Sequence, residues 1–192
     1  MLIGITGIIN SGKSYTAKLI SDYLTHNNHF AEVRSLSDPI KGITGYLFPR
    51  WDYANLNGEL KEIVDKEYGV SPRFVQQVIG VELMKIKPDI WSQILFDKLK
   101  IRCIDLLGFK DSIIIDDVRS VYDFKAVKDH NGIMICLEPN KESGCSDETM
   151  NHKAESQMKE LFGKCDYKFI NTYDEKFDEK IEEFIKGIYN GV

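Results

Sequence analysis

The segment from Gly7 to Ser14 carries the residues best suited to chemistry on phosphate groups. It reads Gly-Ile-Ile-Asn-Ser-Gly-Lys-Ser and fits the pattern G-x-x-x-x-G-K-S/T without a mismatch. In this pattern the glycines let backbone N–H groups converge on phosphate oxygens, the lysine reaches the β- and γ-phosphates, and the last hydroxyl binds Mg²⁺. The sequence therefore predicts a nucleoside triphosphate site formed by Gly7, Asn10, Ser11, Gly12, Lys13, Ser14 and Tyr15.

Two carboxylates follow the apolar run from Ile113 to Ile115, where a predicted strand ends. An acidic residue at the end of a neighbouring strand commonly helps to hold Mg²⁺ beside the P-loop hydroxyl. Because successive side chains of a strand point to opposite faces, only one of Asp116 and Asp117 is expected to face the phosphates. We assign the metal to Ser14 and Asp117, although the pattern alone does not decide between the two carboxylates. The alternative is that both simply end the strand.

Arginines are scarce in this chain, and any bidentate clamp on a second phosphate must come from them. The five are Arg34, Arg50, Arg73, Arg102 and Arg119. Arg119 follows Asp117 by two residues, and Asp123 lies four residues further on, where an ion pair could orient the guanidinium. This pattern suits a site that handles phosphoryl groups. The alternative is a surface salt bridge worth well under about 1 kcal/mol.

A second anion site is predicted where Ser71-Pro72-Arg73 begins a helix, with Ser71 as N-cap and Pro72 at the first helical position. A positive charge is unfavourable at a helix N-terminus, which predicts an anionic partner for Arg73. Gln77 and Val81 follow Arg73 at spacings of four, so the three residues lie on one face of the helix. This face could bind a nucleotide along its length. The alternative is an ordinary surface arginine. The buried side of this helix is predicted to carry Phe74, Val75, Val78, Ile79 and Leu83.

Short β-branched runs alternate with longer helical patterns, which is typical of an α/β domain with a parallel sheet. A first helix near Lys13 and a last helix from about Asp174 to Tyr189 carry apolar stripes at helical spacing. The prediction is a three-layer P-loop NTPase fold with a five-stranded parallel sheet. The predicted strands are Leu2 to Thr6, Ala31 to Ser35, Ser112 to Asp116, Gly132 to Leu137 and Tyr167 to Ile170.

A helical insertion separates the second and third predicted strands. It covers about residues 38–107, which is too long for a plain crossover. The core of this single domain would then be residues 1–37 and 108–192. We expect the insertion to pack over the carboxyl edge of the sheet, where open α/β sheets bind their ligands.

The composition of the chain argues against two classes of binding partner. The net charge of −5 argues against a general nucleic-acid binder, and no apolar run reaches eighteen residues, so we expect neither a nucleic-acid nor a membrane partner. The four cysteines form no C-x-x-C pair, and no signal-peptide pattern opens the chain, which favours reduced thiols in the cytoplasm. The sequence leaves open whether the chain forms a homodimer.

With these residues in view, the chain resembles the phage-type deoxynucleoside monophosphate kinases, a branch of the P-loop kinases. The resemblance rests on the P-loop and on separated segments spread along nearly the whole chain. The family's segment after the second strand is similar to Ser37 to Lys41, and its pattern P-R-x-x-L-Q-x-x-G-T-E is matched at Pro72, Arg73, Gln77, Gly80 and Glu82. The pattern D-V-R-x-x-x-E is matched by Asp117 to Arg119 with Asp123. Two further patterns, H-x-S-E and D-x-x-I-x-N, resemble the segments with His152 and Glu155 and from Asp166 to Asn171.

The resemblance implies transfer of the γ-phosphoryl group of ATP to a deoxynucleoside monophosphate with Mg²⁺, in the host cytoplasm if the chain is phage-encoded. Lys13, Arg73, Asp117 and Arg119 would be the catalytic residues. The residues that would bind the monophosphate are Lys41, Arg73, Gln77, Val81, Trp91, Arg119, Asp123 and Glu155.

The sequence also departs from the family pattern. Gln76, Val81, Asp123 and Ala154 replace the usual Leu, Thr, Glu and Ser. Glu138 stands where an arginine is expected after the fourth strand, which leaves Lys141 or Arg119 to neutralise the transferring group. Three alternatives stay open: another small-molecule P-loop kinase, such as one acting on dephospho-coenzyme A, a nucleotide-dependent ATPase, and a regulatory module that binds nucleotide without turnover.

Overall fold

The computed structural model describes residues 1–105, 112–140 and 161–189. The chain divides into two compact units. We call the first the core unit, formed by Met1–Ser35 and Leu106–Val192, and the second the insertion unit, formed by Leu36–Asp105. Within the described residues no helix is both long enough and apolar enough to span a bilayer.

The core unit is built on a five-stranded sheet in which every neighbouring pair is parallel. The order of strands is β2-β3-β1-β4-β5, so β1 lies at the centre. The predicted fold class is confirmed, and each predicted strand boundary lies within two residues of the observed one. The strands are β1 (Leu2–Gly7), β2 (Ala31–Arg34), β3 (Ser112–Ile115), β4 (Ile133–Pro139) and β5 (Tyr167–Asn171).

One face of the sheet packs against α1 (Lys13–His26) and α7 (Glu175–Tyr189). Ile3 and Ile114, which are paired in register on β1 and β3, are both fully buried in this layer. The predicted apolar face of α7 is also confirmed, since Phe177, Ile181 and Ile185 are buried while most of the charged residues of this helix are exposed. Burial on both faces explains why the central strands are continuously apolar.

On the opposite face, α6 (Val121–Asp129) lies close to the sheet. A Cβ atom on Gly4 would lie 2.6 Å from the sulfur of Met134 and 3.1 Å from Val127. The absence of a side chain at Gly4 therefore lets α6 approach the central strand.

The insertion unit is helical. Its helices are α2 (Asp38–Leu47), α3 (Tyr53–Asn57), a 3₁₀ turn (Glu59–Glu62), α4 (Pro72–Ile86) and α5 (Ile90–Asp105). Helices α2, α4 and α5 pack on one another, and Ile40 of α2 comes within 3.3 Å of the position that a Cβ of Gly80 would take. Ser71 caps α4 as predicted, because its hydroxyl oxygen accepts the N–H of Phe74 at 3.3 Å.

The predicted buried side of α4 is partly wrong. Phe74 and Val78 are 56% and 43% exposed, whereas Val75 and Ile79 are half-buried. Gln76 lies on the covered side, where its amide donates to the carbonyl of Leu56 at 3.0 Å. Helix α4 carries apolar residues on two faces, so the spacing of apolar residues alone does not identify the face that packs.

Candidate functional site

The P-loop joins β1 to α1 through two residues in the left-handed region of backbone conformation. Asn10 has a φ of 61° and Gly12 a φ of 86°. Gly12 also precedes the first residue of α1, and a Cβ there would collide with the side-chain amide of Asn171. Both the backbone conformation and the close neighbour thus require glycine at this position. The loop ends at a helix N-terminus, whose free N–H groups favour an anion.

Lys13 lies folded across the loop. Its Nζ donates to the carbonyl oxygens of Gly7 at 2.8 Å and Ile8 at 2.7 Å. Burial, together with the nearby positive charge of Arg119, lowers the pKa of Lys13 to about 8, against the opposing effect of Asp116 and Asp117. An incoming phosphate would give this ammonium group an anionic partner in place of two neutral carbonyls.

Asp116, rather than Asp117, meets the P-loop hydroxyl. The Oγ of Ser14 donates to Oδ2 of Asp116 at 2.7 Å, whereas Oδ2 of Asp117 accepts from the hydroxyl of Ser35 at 2.6 Å. This geometry corrects the assignment of Asp117 as the carboxylate beside Ser14. Strand β3 ends at Ile115, and the chain beyond the last paired residue decides which carboxylate turns toward the loop.

A hydroxyl and a carboxylate at hydrogen-bonding distance fit Mg²⁺. This ion is usually held by one or two protein oxygens, with phosphate oxygens and waters completing its octahedron. The described part of the chain contains no group of three or more His, Cys, Asp or Glu side chains able to enclose a metal unaided. Ser14 and Asp116 would therefore hold the ion together with the nucleotide.

Arg119 and Asp123 lie at the start of α6. The carboxylate of Asp123 accepts the N–H of Ser120 at 3.0 Å and of Arg119 at 3.4 Å, and the N–H of Asp123 donates to the hydroxyl of Ser120. Asp123 therefore caps α6 and holds the backbone at Arg119, which corrects the expected ion pair with the guanidinium. Burial raises the pKa of Asp123 despite these hydrogen bonds.

The last residue of β5 and the loop that follows it brace the P-loop. Asn171 is 1% exposed, and its amide nitrogen donates to the carbonyl of Ser11 at 3.1 Å. Its amide oxygen accepts the N–H of Tyr173 at 2.8 Å, and the hydroxyl of Tyr173 donates to the carbonyl of Asn10. Sequence reasoning noted Asn171 only as part of a motif and missed Tyr173. Its positive φ of 57° has no recognisable sequence signal, because tyrosine is not a residue that favours this region.

Tyr15, predicted to bind ATP, is 53% exposed on the first turn of α1. Its hydroxyl donates to Oδ2 of Asp178 on α7 at 2.7 Å, and this hydrogen bond raises the pKa of Tyr15. A cavity of about 520 Å³ lies beside this pair. It is lined by Gly12, Tyr15, Asn171, Tyr173, Asp174, Glu175 and Asp178.

In the insertion unit, the anionic partner predicted for Arg73 is a carboxylate of the protein. The Nε of Arg73 donates to Oε1 of Glu62 at 2.9 Å, and both side chains are partly exposed. Lys41, on α2, lies 3.7 Å from a carboxylate oxygen of Asp38. Each predicted cation of this unit thus lies beside a carboxylate of the protein.

The other predicted acceptor residues of this unit differ in their access to solvent. Gln77 and Val81 are exposed on α4, with Val81 at 57%. Trp91 is 5% exposed, and its indole N–H donates to the carbonyl of Gly80 at 3.0 Å. Trp91 is therefore covered by packing, and its ring has no face open to a ligand.

The remaining predictions concern the fourth strand and the segment after it. Glu138 is exposed near the end of β4. Lys141, His152, Ala154 and Glu155 lie outside the described residues, so their predicted roles stay predictions.

Comparison with known proteins identifies the fold. No protein-family model and no curated protein matches the sequence. Among solved structures, a dephospho-CoA kinase from Campylobacter jejuni aligns over 99% of this chain and 98% of its own, with 14% identity and a TM-score of 0.56. A shikimate kinase from Aquifex aeolicus aligns over 100% of both chains, with 16% identity and a TM-score of 0.50.

A shikimate kinase from Bacteroides thetaiotaomicron aligns over 99% of this chain and 98% of its own, with 13% identity and a TM-score of 0.50. At these identities the likeness concerns the fold alone. The chain thus has the α/β fold that these P-loop kinases share, with a P-loop at the position that this fold uses for phosphate.

Proposed function

We propose that the chain is a deoxynucleoside monophosphate kinase, which transfers the γ-phosphoryl group of ATP to a dNMP and yields dNDP and ADP. The observation that carries this proposal is the pairing of Ser14 with Asp116 beside the ammonium group of Lys13, because these groups together suit a triphosphate with its metal. The nucleoside monophosphate would be the partner, and the proposal involves neither nucleic acid nor membrane.

On the donor side, the N–H groups of the P-loop and Lys13 would hold the β- and γ-phosphates. Mg²⁺ held there would supply positive charge against the negative charge that develops during transfer. Ser14 and Asp116 would orient that ion. The charge of Arg119 already acts on Lys13, so its guanidinium is a suitable second cation for the transferring group.

On the acceptor side, Arg73 would bind the phosphate of the monophosphate, with Lys41 as a further cation. The carboxylate of Glu62 occupies the Nε of this guanidinium and competes with the phosphate for its positive charge. Gln77 offers an amide to the nucleoside, and Val81 offers an apolar contact. Trp91 would support this face from within the unit.

The chemistry itself requires placement and neutralisation of charge. An oxygen of the acceptor phosphate attacks the γ-phosphorus in line, the bond to the β–γ bridging oxygen breaks, and ADP leaves with the electron pair. Water must be excluded until the acceptor is bound, because water would otherwise accept the phosphoryl group.

A second candidate is a kinase for a different small molecule. It is favoured by the names of the solved structures with this fold, which act on dephospho-CoA or shikimate. Fold likeness does not choose an acceptor, so this candidate differs from the first only in what the insertion unit binds.

The deciding experiment measures release of ADP from ATP and Mg²⁺ with each deoxynucleoside and ribonucleoside monophosphate, with dephospho-CoA, with shikimate, and with no acceptor. We expect release only with one or more deoxynucleoside monophosphates, and none from the Lys13→Ala variant. Release with dephospho-CoA or shikimate alone supports the second candidate. Release without an acceptor indicates an ATPase, and no release in the presence of measurable ATP binding indicates a regulatory module.

A further inference from the structure

Two free cysteines lie together in the core unit, near the point where β4 and β5 begin to pair. Cys136 is on β4, in register with Lys168 of β5, and is fully buried. Because its strand neighbours Ile135 and Leu137 are buried in the layer of α1 and α7, Cys136 points to the opposite face of the sheet. Cys165 is half-buried and lies two residues before β5 begins.

The two thiols form a hydrogen bond with each other. This hydrogen bond lowers the pKa of Cys165 against the effect of burial. The charges of Lys168 and Lys128 lower that pKa further, whereas the charge of Asp166 raises it. The same hydrogen bond, together with burial, raises the pKa of Cys136. Cys136 is therefore the donor of the pair, and Cys165 is the thiol that ionises more readily.

A carboxylate holds the start of β5 beside β4. Asp166 accepts the N–H of Met134 at 2.7 Å, and its own N–H donates to the carbonyl of the same residue at 3.0 Å. Lys128 of α6 donates to this carboxylate at 2.8 Å. These bonds hold Cys165, the residue before Asp166, next to the strand that carries Cys136.

The surroundings of Cys165 are those of a reactive thiol. Reactive cysteines lie in partly exposed places with cations nearby, whereas structural cysteines are buried in apolar surroundings and are inert. Cys165 fits the first description. Cys136 fits the second apart from its hydrogen bond to Cys165. A low-pKa thiol next to a second thiol is the arrangement in which the second thiol resolves the oxidised form of the first.

We propose that Cys165 and Cys136 form a redox-sensitive pair, in which hydrogen peroxide oxidises Cys165 and Cys136 then closes an intramolecular disulfide. This modification site does not depend on the reaction assigned to the chain. The expectation of reduced thiols describes the resting form, to which a low-molecular-weight dithiol returns the oxidised protein.

The chemistry has two steps. The Cys165 thiolate attacks one oxygen of the peroxide, the O–O bond breaks, and the leaving hydroxide takes up a proton to form water, so that Cys165 becomes a sulfenic acid. The sulfur of Cys136 then attacks the sulfenic sulfur, the S–O bond breaks, and a second water forms with the proton of the Cys136 thiol. In total the two thiols lose two electrons and two protons, and the peroxide is reduced to two waters.

The test compares the reduced full chain before and after treatment with hydrogen peroxide, by intact mass and by counting the thiols that react with a maleimide after denaturation. We expect a loss of about 2 Da, which corresponds to the two hydrogen atoms removed. The four reactive thiols of the chain should fall to two. Dithiothreitol should restore both the mass and the thiols, and peptide mapping should link Cys136 to Cys165.

Replacement of each thiol separates the two roles. In Cys136→Ser the sulfenic acid on Cys165 has no partner, so dimedone should trap it in at least about tenfold greater amount than in the wild-type chain. The Cys165→Ser variant should neither lose about 2 Da nor be labelled by dimedone at Cys136. Cys103→Ser is the matched control, since it removes another cysteine of the chain and should leave the mass change and the linked peptides as in the wild type.

The mass of the wild-type chain tests the proposal even if a variant fails to fold, because this measurement needs no substitution. Four reactive thiols after peroxide treatment, a disulfide that includes Cys103 or Cys145, or a disulfide between two chains would overturn the proposal. So would a sulfenic acid that forms on Cys136 in Cys165→Ser as fast as on Cys165 in Cys136→Ser.

Discussion

Lys13 is the residue whose chemistry depends most on its surroundings. Its ammonium group is buried and lies near Arg119, and both effects disfavour the charged form. The protein thus holds a lysine that titrates near a pKa of about 8, well within the range of ordinary assays. A lysine whose pKa is lowered in this way loses its proton as the pH rises through the lowered pKa.

We therefore expect ATP binding to weaken with rising pH. With a pKa of about 8, the charged fraction of Lys13 falls from about 0.9 at pH 7 to about 0.1 at pH 9, so the affinity should fall by about tenfold over this interval. Titration calorimetry at a series of pH values measures the decline. A Lys13→Arg variant that still binds ATP keeps its charge and should show a flat profile; a decline of equal size in that variant would contradict the role given to Lys13.

The two carboxylates after β3 should differ in their effect on the metal. Asp116→Asn removes the acceptor of the Ser14 hydroxyl, and we expect the Mg²⁺ concentration for half-maximal activity to rise about 10–100-fold. Asp117→Asn leaves that pair intact and should change the Mg²⁺ requirement by about threefold or less, because Asp117 contacts Ser35. Activity measured against Mg²⁺ concentration separates the two, and the reverse ranking would restore Asp117 as the metal-side carboxylate.

At the scale of elements, the end of β5 and the loop that follows it hold the P-loop through hydrogen bonds to its backbone. Asn171 joins the carbonyl of Ser11 to the N–H of Tyr173, and both bonds are buried or partly buried. A glycine-rich loop has many conformations to lose on binding phosphate, so a fixed neighbour reduces that cost.

Asn171→Ala should therefore weaken both stability and binding. The loss of two hydrogen bonds in a buried setting costs about 1–3 kcal/mol of the free energy of unfolding. We expect the affinity for ATP to fall about tenfold as the P-loop loses its brace, measured by calorimetry beside thermal unfolding. Asn57→Ala, in the insertion unit, removes one long exposed contact and serves as control. Loss of stability with unchanged ATP affinity would show that the brace does not shape the loop.

The strands, the P-loop and the helix cap could be predicted from the sequence because the preferences of neighbouring residues there agree with the packing of the whole fold. The apolar strands, the phosphate loop and the Ser71 cap all follow from short-range patterns. Which carboxylate faces Ser14 depends on where β3 loses its pairing with β1, and sequence does not mark that residue. The exposure of Phe74 and the pairing of Arg73 with Glu62 depend on how short helices pack, which periodicity does not determine.

The whole molecule separates its two groups of cations between two compact units. Lys13 and Arg119 belong to the core unit, whereas Lys41 and Arg73 belong to the insertion unit. In a chain with a net charge of −5, anionic ligands are attracted only where such cations are concentrated. Binding of the two nucleotides should accordingly respond to different substitutions.

We expect Arg73→Ala to raise the KM for the monophosphate about 100-fold, because a charged hydrogen bond to phosphate is lost, and to leave the Kd for ATP within about twofold. Lys13→Ala should abolish turnover. Glu62→Gln should lower the KM a few-fold, since it removes the anion that competes for Arg73. Steady-state kinetics and ATP calorimetry provide both readouts.

The matched control is Arg50→Ala, since Arg50 is an arginine of the same unit that pairs with Glu67 and lies over the ring of Tyr68. It should leave the KM for the monophosphate unchanged. Equal loss of ATP binding in Lys13→Ala and Arg73→Ala would rule out two separate anion sites.

The brace on the P-loop also has a consequence for synthesis of the chain on the ribosome. Ser11 leaves the ribosome before Asn171, which holds it and follows 160 residues later. The central strand β1 must likewise wait for β3 and β4, its neighbours in the sheet. Nascent or prematurely terminated chains thus expose the phosphate-loop sequence without its native form. We expect them to leave cellular ATP unbound, so that nucleotide capture begins only after the segment around Asn171 has been synthesised.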